Sequence, residues 1–512
     1  MRKFFVLFLT AALLLTLLTA CGGMSPADTG NTAAETDTQS ESLSAEDGSG
    51  ELPGGLPDGT PPEGSPPGEP PEGMNGGPGG PPPGDPPDGN GGPPAGGPGG
   101  GPGGSSADID YAGAEEISSA DSRTGQTYAS TASDESALLI RTADDVSISD
   151  PTVSKSGGSD GGDSCSFYGL NAAVLVMGGT TTTITGGTVT SDAAGANGVF
   201  CYGGNGGTNG ASGDGTTLII RDTTIVTTGD GSGGIMTTGG GVTYACNLDV
   251  TTSGQSSAPI RTDRGGGTVT VEGGSFTSNG LGSPVIYSTA DITVSNAVLT
   301  SNLSEGVCIE GLNSVTLIEC DLTADNTRRN SNAAFLDSIM IYQSMSGDAA
   351  SGTSHFTMSG GSLTSLSGHV FHVTNTSAVI TLRSVDIVNE DADNILLSVC
   401  ADGWSGGSNT ATLRAAAQAL NGAIKVGSDS CLTLELTEGS AFAGSIDGSI
   451  VNAKGETVST ETGTVSVTLD ASSTWTLTGD SYVTLFDGDA ANVISNGYTL
   501  YVSGEALTGT QQ

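Results

Sequence analysis

"TVTVEGGSFTSNGLGSPVIYSTA" occupies Thr268–Ala290, and "DITVSNAVLTSNLSEGVCIEGLN" follows directly over Asp291–Asn313. Each stretch is 23 residues long. Each opens with β-branched residues in alternation, crosses a turn of small residues, shows one more apolar residue and reaches "TSN". A unit this short cannot bury its own apolar face and is stable only when stacked on a copy of itself. Taking the second apolar residue of each opening alternation as anchor gives Ile184, Ile220, Ala245, Val271, Val294, Leu317, Met358 and Leu382, in steps of 36, 25, 26, 23, 23, 41 and 24. The two long steps contain insertions, Gly203–Gly215 and Asn326–Thr353, so the basic period is 23 to 26 residues.

Three further columns keep the same phase. Two residues before the anchor stand Leu218, Val269, Ile292, Val315, Phe356 and Ile380, and five after it Val189, Ile225, Val250, Phe276, Leu299, Leu322, Leu363 and Ile387. A third strand begins further on, at Val199, Ile235, Ile260, Val285, Val307, Val370 and Ile395. A helical period is absent and Gly and Thr are dense, so helices are excluded. Three short strands per repeat, all running the same way, describe a triangular coil in an all-β solenoid. A polar column at Asp192, Thr228, Ser253, Asn279, Asn302 and Asp325 is expected to bond backbone at one corner.

That corner column is similar to the stacked asparagines of right-handed parallel β-helices in the pectin-lyase-like superfamily. The resemblance spans roughly residues 136–451 and is one of architecture. It implies a right-handed parallel β-helix, expected here over residues 107–454. After Lys454 the rhythm changes, and residues 455–512, with Trp475, Tyr498 and Tyr501, are expected to form a β cap that closes the open end, the alternative being a separate sugar-binding module.

Composition limits the partners. With 14 Lys and Arg against 56 Asp and Glu, the formal charge is −42, which repels nucleic acid and anionic membrane surfaces. Calcium is the cofactor this acidity leaves open; no other is implied. Residues 1–21 combine Arg2 and Lys3, an apolar run from Phe4 to Leu18 and the tetrapeptide "LTAC". They resemble a bacterial lipoprotein signal, which implies lipidation of Cys21 and a monomer anchored to, but not spanning, the cell membrane on its extracellular side. Residues 22–106 hold Pro and Gly without large apolar runs and read as a disordered acidic linker. Such chain advances about 3.1 Å per residue when extended, enough to carry the coils on the order of 100 Å from the anchor. The seven cysteines that remain are widely spaced and form no C-x-x-C, so most are expected to be apolar fillers.

Catalytic patterns do not emerge. His355, His369 and His372 lack metal-ligand spacing, "SDGGDS" at 159–164 lacks the closing glutamate of a calcium loop, and no P-loop or GxSxG occurs. The lyases and hydrolases of the resembling superfamily need clustered carboxylates with a base, or paired acids. Only one place brings acid and base together on an expected outer face: Arg261, Asp263 and Arg264 in "IRTDRGGG", with Glu310 two coils on and Ser288 between.

If the third-strand column points inward, then Phe200, Met236, Arg261, Ile286, Cys308, Phe371 and Leu396 point outward. That is an apolar stripe, to be covered either by the 326–353 insertion, with Phe335, Ile339, Met340 and Tyr342, or by a partner. In the second case Tyr202, Arg261, Asp263, Arg264 and Glu310 supply polar contacts and Trp404 a stacking surface for a sugar ring. The expected function is a non-catalytic, glycan-binding or adhesin-like surface protein whose partner is a polysaccharide or another cell surface. The alternative is a polysaccharide lyase or hydrolase.

Overall fold

The structure, a computed structural model, describes residues 109–330 and 332–512; Cys21 and the 22–106 linker lie outside them. The described chain winds into a parallel β-helix with three strands per coil. First strands stack on first strands, second on second and third on third, all in parallel. First and second strands merge into one 22-stranded sheet, because Gly241–Thr252 and Gly267–Ser278 run through the corner as single strands of 12 residues. Third strands form a separate 13-stranded sheet.

The anchor column is a column in space. Ile184 pairs with Ile220, Ile220 with Ala245, Ala245 with Val271, Val271 with Val294, Val294 with Leu317, Leu317 with Met358 and Met358 with Leu382. The column five residues on is equally unbroken from Val189 to Ile387. These residues fill one continuous core along the axis. The turn between first and second strands is also repeated: Asp150, Asp222, Asn247, Asn296, Glu319, Ser384, Ala417 and Glu438 all sit at φ between 50° and 56°. One left-handed residue bends the chain without interrupting the ladder, a conformation that Asn and Asp tolerate and other side chains adopt at some cost.

The third-strand column follows a different register from the expected one. Ile260 pairs with Ile286, not Val285; Ile339 pairs with Phe371, not Val370; and Phe371 pairs with Leu397, not Ile395. The chain bends into this strand, so two successive residues face inward. Val285 and Ile286 both belong to the core, as do Val370 with Phe371 and Leu396 with Leu397. Alternation starts only after the bend. The outward column is therefore Leu175, Phe200, Met236, Arg261, Tyr287, Cys308, Met340, His372, Ser398, Lys425 and Asp447.

The polar ladder is also shifted. Asn302 is exposed and donates from its amide to Asn279 Oδ1 at 2.8 Å, a surface pairing, while the Asn279 amide makes the expected backbone bond, donating to the Thr252 carbonyl at 3.4 Å. The buried ladder is made of serines near the entrance to the third strand. Ser232 Oγ accepts from the Ala196 N–H, Ser257 Oγ from Ser232 N–H and Ser283 Oγ from Ser257 N–H, at 2.8–2.9 Å. Each hydroxyl passes its own proton to a carbonyl, Ala193, Gly229 or Gly254, so buried backbone groups are satisfied from coil to coil.

Towards the C-terminus the second strands continue as a four-stranded sheet, Ala419–Asn421, Ala441–Gly444, Thr474–Leu477 and Val493–Ile494. Phe442 and Trp475 stack inside it with centroids 5.6 Å apart, and the indole N–H donates to the Gly444 carbonyl at 3.0 Å. The last two strands pair antiparallel, Leu500–Val502 with Glu505–Ala506, and Gln511 makes a parallel bridge to Ile494.

Candidate functional site

The outer face of the third sheet is where the coils stop being alike. Its apolar beginning, Leu139, Leu175, Phe200 and Met236, is covered by Phe167 and Tyr168 of a six-residue helix, Asp163–Tyr168, with Ile109 and Tyr111 packed alongside. Tyr202 belongs to this cluster, its ring 5.8 Å from that of Tyr168. The expected cover, the 326–353 insertion, lies further along. Its middle is the strand Asp337–Tyr342, stacked in the sheet with Ile339 and Ile341 in the core. Only its flanks project. Phe335, on the first flank, lies with its ring 4.6 Å from that of His372.

Between these two covered regions the face opens into a cleft of about 440 Å³, and a smaller hollow of about 200 Å³ adjoins it through Tyr287 and Asn330. Alternation along the third strands puts Tyr287, Cys308 and Met340 in the floor, and Glu310 and Tyr342 one outward position further on. The insertion supplies Asn330, Asn332, Ser344, Ser346 and Asp348, and the loop after Ile395–Val399 supplies Trp404. The indole of Trp404 lies 5.0 Å from the ring of Tyr342, at 56° to it, and so forms an aromatic wall.

The walls are pinned by polar contacts. Asp402 Oδ1 accepts the Ala334 N–H at 2.7 Å, which ties the Trp404 loop to the insertion. Gly403 fits against Asn332 so closely that a Cβ there would stand 2.1 Å from its carbonyl oxygen. Behind this wall His369 and His372 both bond Ser398 Oγ through Nδ1, at 2.8 and 2.7 Å, and His372 Nε2 lies 3.3 Å from Asp402 Oδ2 without hydrogen-bond alignment. Burial pushes the His369 ring down to about 3, so it is neutral.

Glu310 is the chemical centre of the cleft. Tyr287 donates its hydroxyl to Glu310 Oε2 at 2.6 Å, Tyr342 donates at 3.2 Å, and the Ser344 hydroxyl donates to the other oxygen. Burial pushes the carboxyl above its ordinary range while the hydroxyls pull it back. Burial, followed by the charge of Glu310, raises both tyrosine phenols far above theirs. Glu305, also in the lining, is raised by burial too.

Of the residues expected to form a site, Glu310 and Trp404 line the cleft and Arg261 lines the adjoining hollow. Asp263 is buried behind Arg261, whose guanidinium it binds at 2.7 Å, and it accepts the Arg264 N–H at 3.0 Å. Burial outweighs the Arg261 charge and lifts Asp263 to about 6. Arg264 holds the rim: it pairs with Asp348 and lies 4.2 Å above the Phe167 ring. Tyr202 stays with the covered cluster. Ser288 is not between Asp263 and Glu310 on this face; it pairs with Ile309 and bonds the Ala290 carbonyl.

Tyr287, Glu305 and Asp348 were not anticipated, and Tyr342 was expected to pack over the stripe rather than to line a site. Tyr287 follows once Ile286 is placed inward; Glu305 and Asp348 sit in loops without a repeat to locate them. Among the described residues no group of three or more His, Cys, Asp or Glu side chains could hold a metal ion. Fold and site together define a parallel β-helix with an acidic, aromatic-walled cleft on its third sheet. Compared with known proteins, the chain matches no family model, no curated protein and no solved structure.

Proposed function

We propose that this chain is a carbohydrate-binding surface protein, anchored by lipid at Cys21 and held away from the membrane by its linker, with the third-sheet cleft as its binding site. The observation that carries this reading is the cleft of about 440 Å³ in which the Trp404–Tyr342 wall stands over Glu310 and its hydroxyl donors. Sugars have apolar ring faces and a polar circumference, and such a site offers aromatic surface beside fixed donors and acceptors. The test is a glycan array probed with the full-length chain and with Trp404→Ala. Binding to defined glycans that falls in the variant supports the reading; identical signals from both remove Trp404 from it, and no signal from either rejects it.

A second reading, polysaccharide hydrolysis, is favoured by one observation. Glu310 is a carboxyl raised by burial, as a general acid requires, and Asp348 lies in the same lining. Reducing ends released from a bound polysaccharide, and lost in Glu310→Gln, would favour it over binding alone.

A further inference from the structure

The charge of the cleft is unbalanced. Glu305, Glu310 and Asp348 line it, and among the described lining residues there is no Lys or Arg. Asp348 is matched by Arg264, which reaches it from outside the lining. Glu310 is met only by hydroxyls, those of Tyr287, Tyr342, Ser344 and, at 3.5 Å, Ser346. Glu305 takes the Ser304 hydroxyl and the Asn326 amide, and its charge, after burial, raises a second acid, Asp337, which is 1% exposed and whose Oδ1 has no hydrogen-bond partner. Acids buried without a cation cost free energy that a cationic ligand recovers.

We propose that the cleft selects an amino sugar with a free ammonium group, as found in a polysaccharide of unacetylated hexosamine. This rests on the carbohydrate reading above and narrows it. The charge excludes polyuronates, whose carboxylates would face Glu305 and Glu310. The wall decides between a sugar and a lysine-bearing peptide. Trp404 and Tyr342 present a broad tilted surface suited to a ring, and Asn330, Asn332 and Ser346 offer amides and a hydroxyl suited to a ring's hydroxyls.

The experiment is calorimetry of the full-length chain at about 0.15 M salt, where exposed charges are screened beyond roughly 8 Å. The probes are a β-1,4-linked glucosamine tetramer, its fully N-acetylated counterpart and tri-lysine. The free-amine tetramer is expected to bind about tenfold or more tighter than the acetylated one. Glu310→Gln should narrow that ratio, and Trp404→Ala should weaken both sugars. Glu305→Gln carries the same expectation as Glu310→Gln, and a melting curve for each variant checks that it folds. The formal charge of −42 attracts any polycation, but that attraction survives the loss of one acid among 56. Binding unchanged in all three variants therefore overturns the proposal. Equal or tighter binding of the acetylated tetramer overturns the ammonium preference and leaves carbohydrate binding standing. Tri-lysine binding as tightly as the tetramer overturns it in favour of a peptide, and no sugar binding at all overturns both readings.

Discussion

The two sides of each coil obey different constraints. On the 22-stranded sheet, strand follows strand through one left-handed residue or a left-handed Gly pair such as Gly186–Gly187, and the outer face carries exposed side chains such as Val298 and Ile318. On the third sheet the connections are unequal: 156–173, with its short helix, covers the first strands, and 326–330, 332–336, 343–352 and 400–408 rise around the cleft further along. One side is fixed by stacking; the other is free to vary because the core beneath it is already complete. A solenoid places function where insertions leave the stack undisturbed.

The largest effect should mark the boundary between core and surface. Val294→Asp puts a carboxylate into a fully buried column between Val271 and Leu317, and should cost about 4 kcal/mol or more. Val298→Asp, four residues away but half exposed, should stay within about 0.5 kcal/mol. Urea unfolding of both variants measures the contrast, and similar losses would mean that the two positions do not differ in burial.

The columns of the stacking side could be read because a strand alternates with period two and each coil repeats its neighbour. Val294 and Leu299 announce their burial in every copy. Reading failed where the period resets. Val285 and Ile286 are both inward because the chain bends just before them, and alternation from Val285 misassigned Ile286, Phe371 and Leu396 to the outside. The cleft was read only in part for the same reason. Arg261 and Glu310 stand at strand positions that a register can locate, whereas Asp348 and Asn330 are placed by loops that occur once.

A pH effect should belong to the loop-bearing side. Asp263 is raised to about 6 from an ordinary 3.8, so the folded state binds its proton more tightly than the unfolded chain. Its contribution is complete below about pH 4 and is lost as pH rises through about 6, on the order of 2 kcal/mol after relaxation around Arg261. Stability against urea measured from pH 4 to 7 should fall less steeply in Asp263→Asn than in the parent. A steeper fall in the variant would contradict the assignment.

The serine ladder gives a smaller contrast. Ser257→Ala removes the acceptor of the Ser232 N–H and should cost about 1–2 kcal/mol. Asn302→Ala loses only a surface amide contact and should change stability by less than about 0.5 kcal/mol. If the asparagine proves the costlier of the two, the buried ladder has been misplaced. Opposite in sign is Ala417→Gly. Ala417 is exposed at φ 50°, so relief of left-handed strain should exceed the added freedom of the unfolded chain by about 0.5–1 kcal/mol. A lower melting temperature would show that the corner imposes no strain there.

The division of labour between the two sides is tested most directly by amide hydrogen exchange with and without the glucosamine tetramer. Protection should appear in 326–336, 343–352, 400–408 and the strand Val307–Glu310, with the outer strands Val298–Ser301 and Asp321–Asp325 unchanged. Protection along the 22-stranded sheet, with none in those loops, would contradict a binding face on the third sheet.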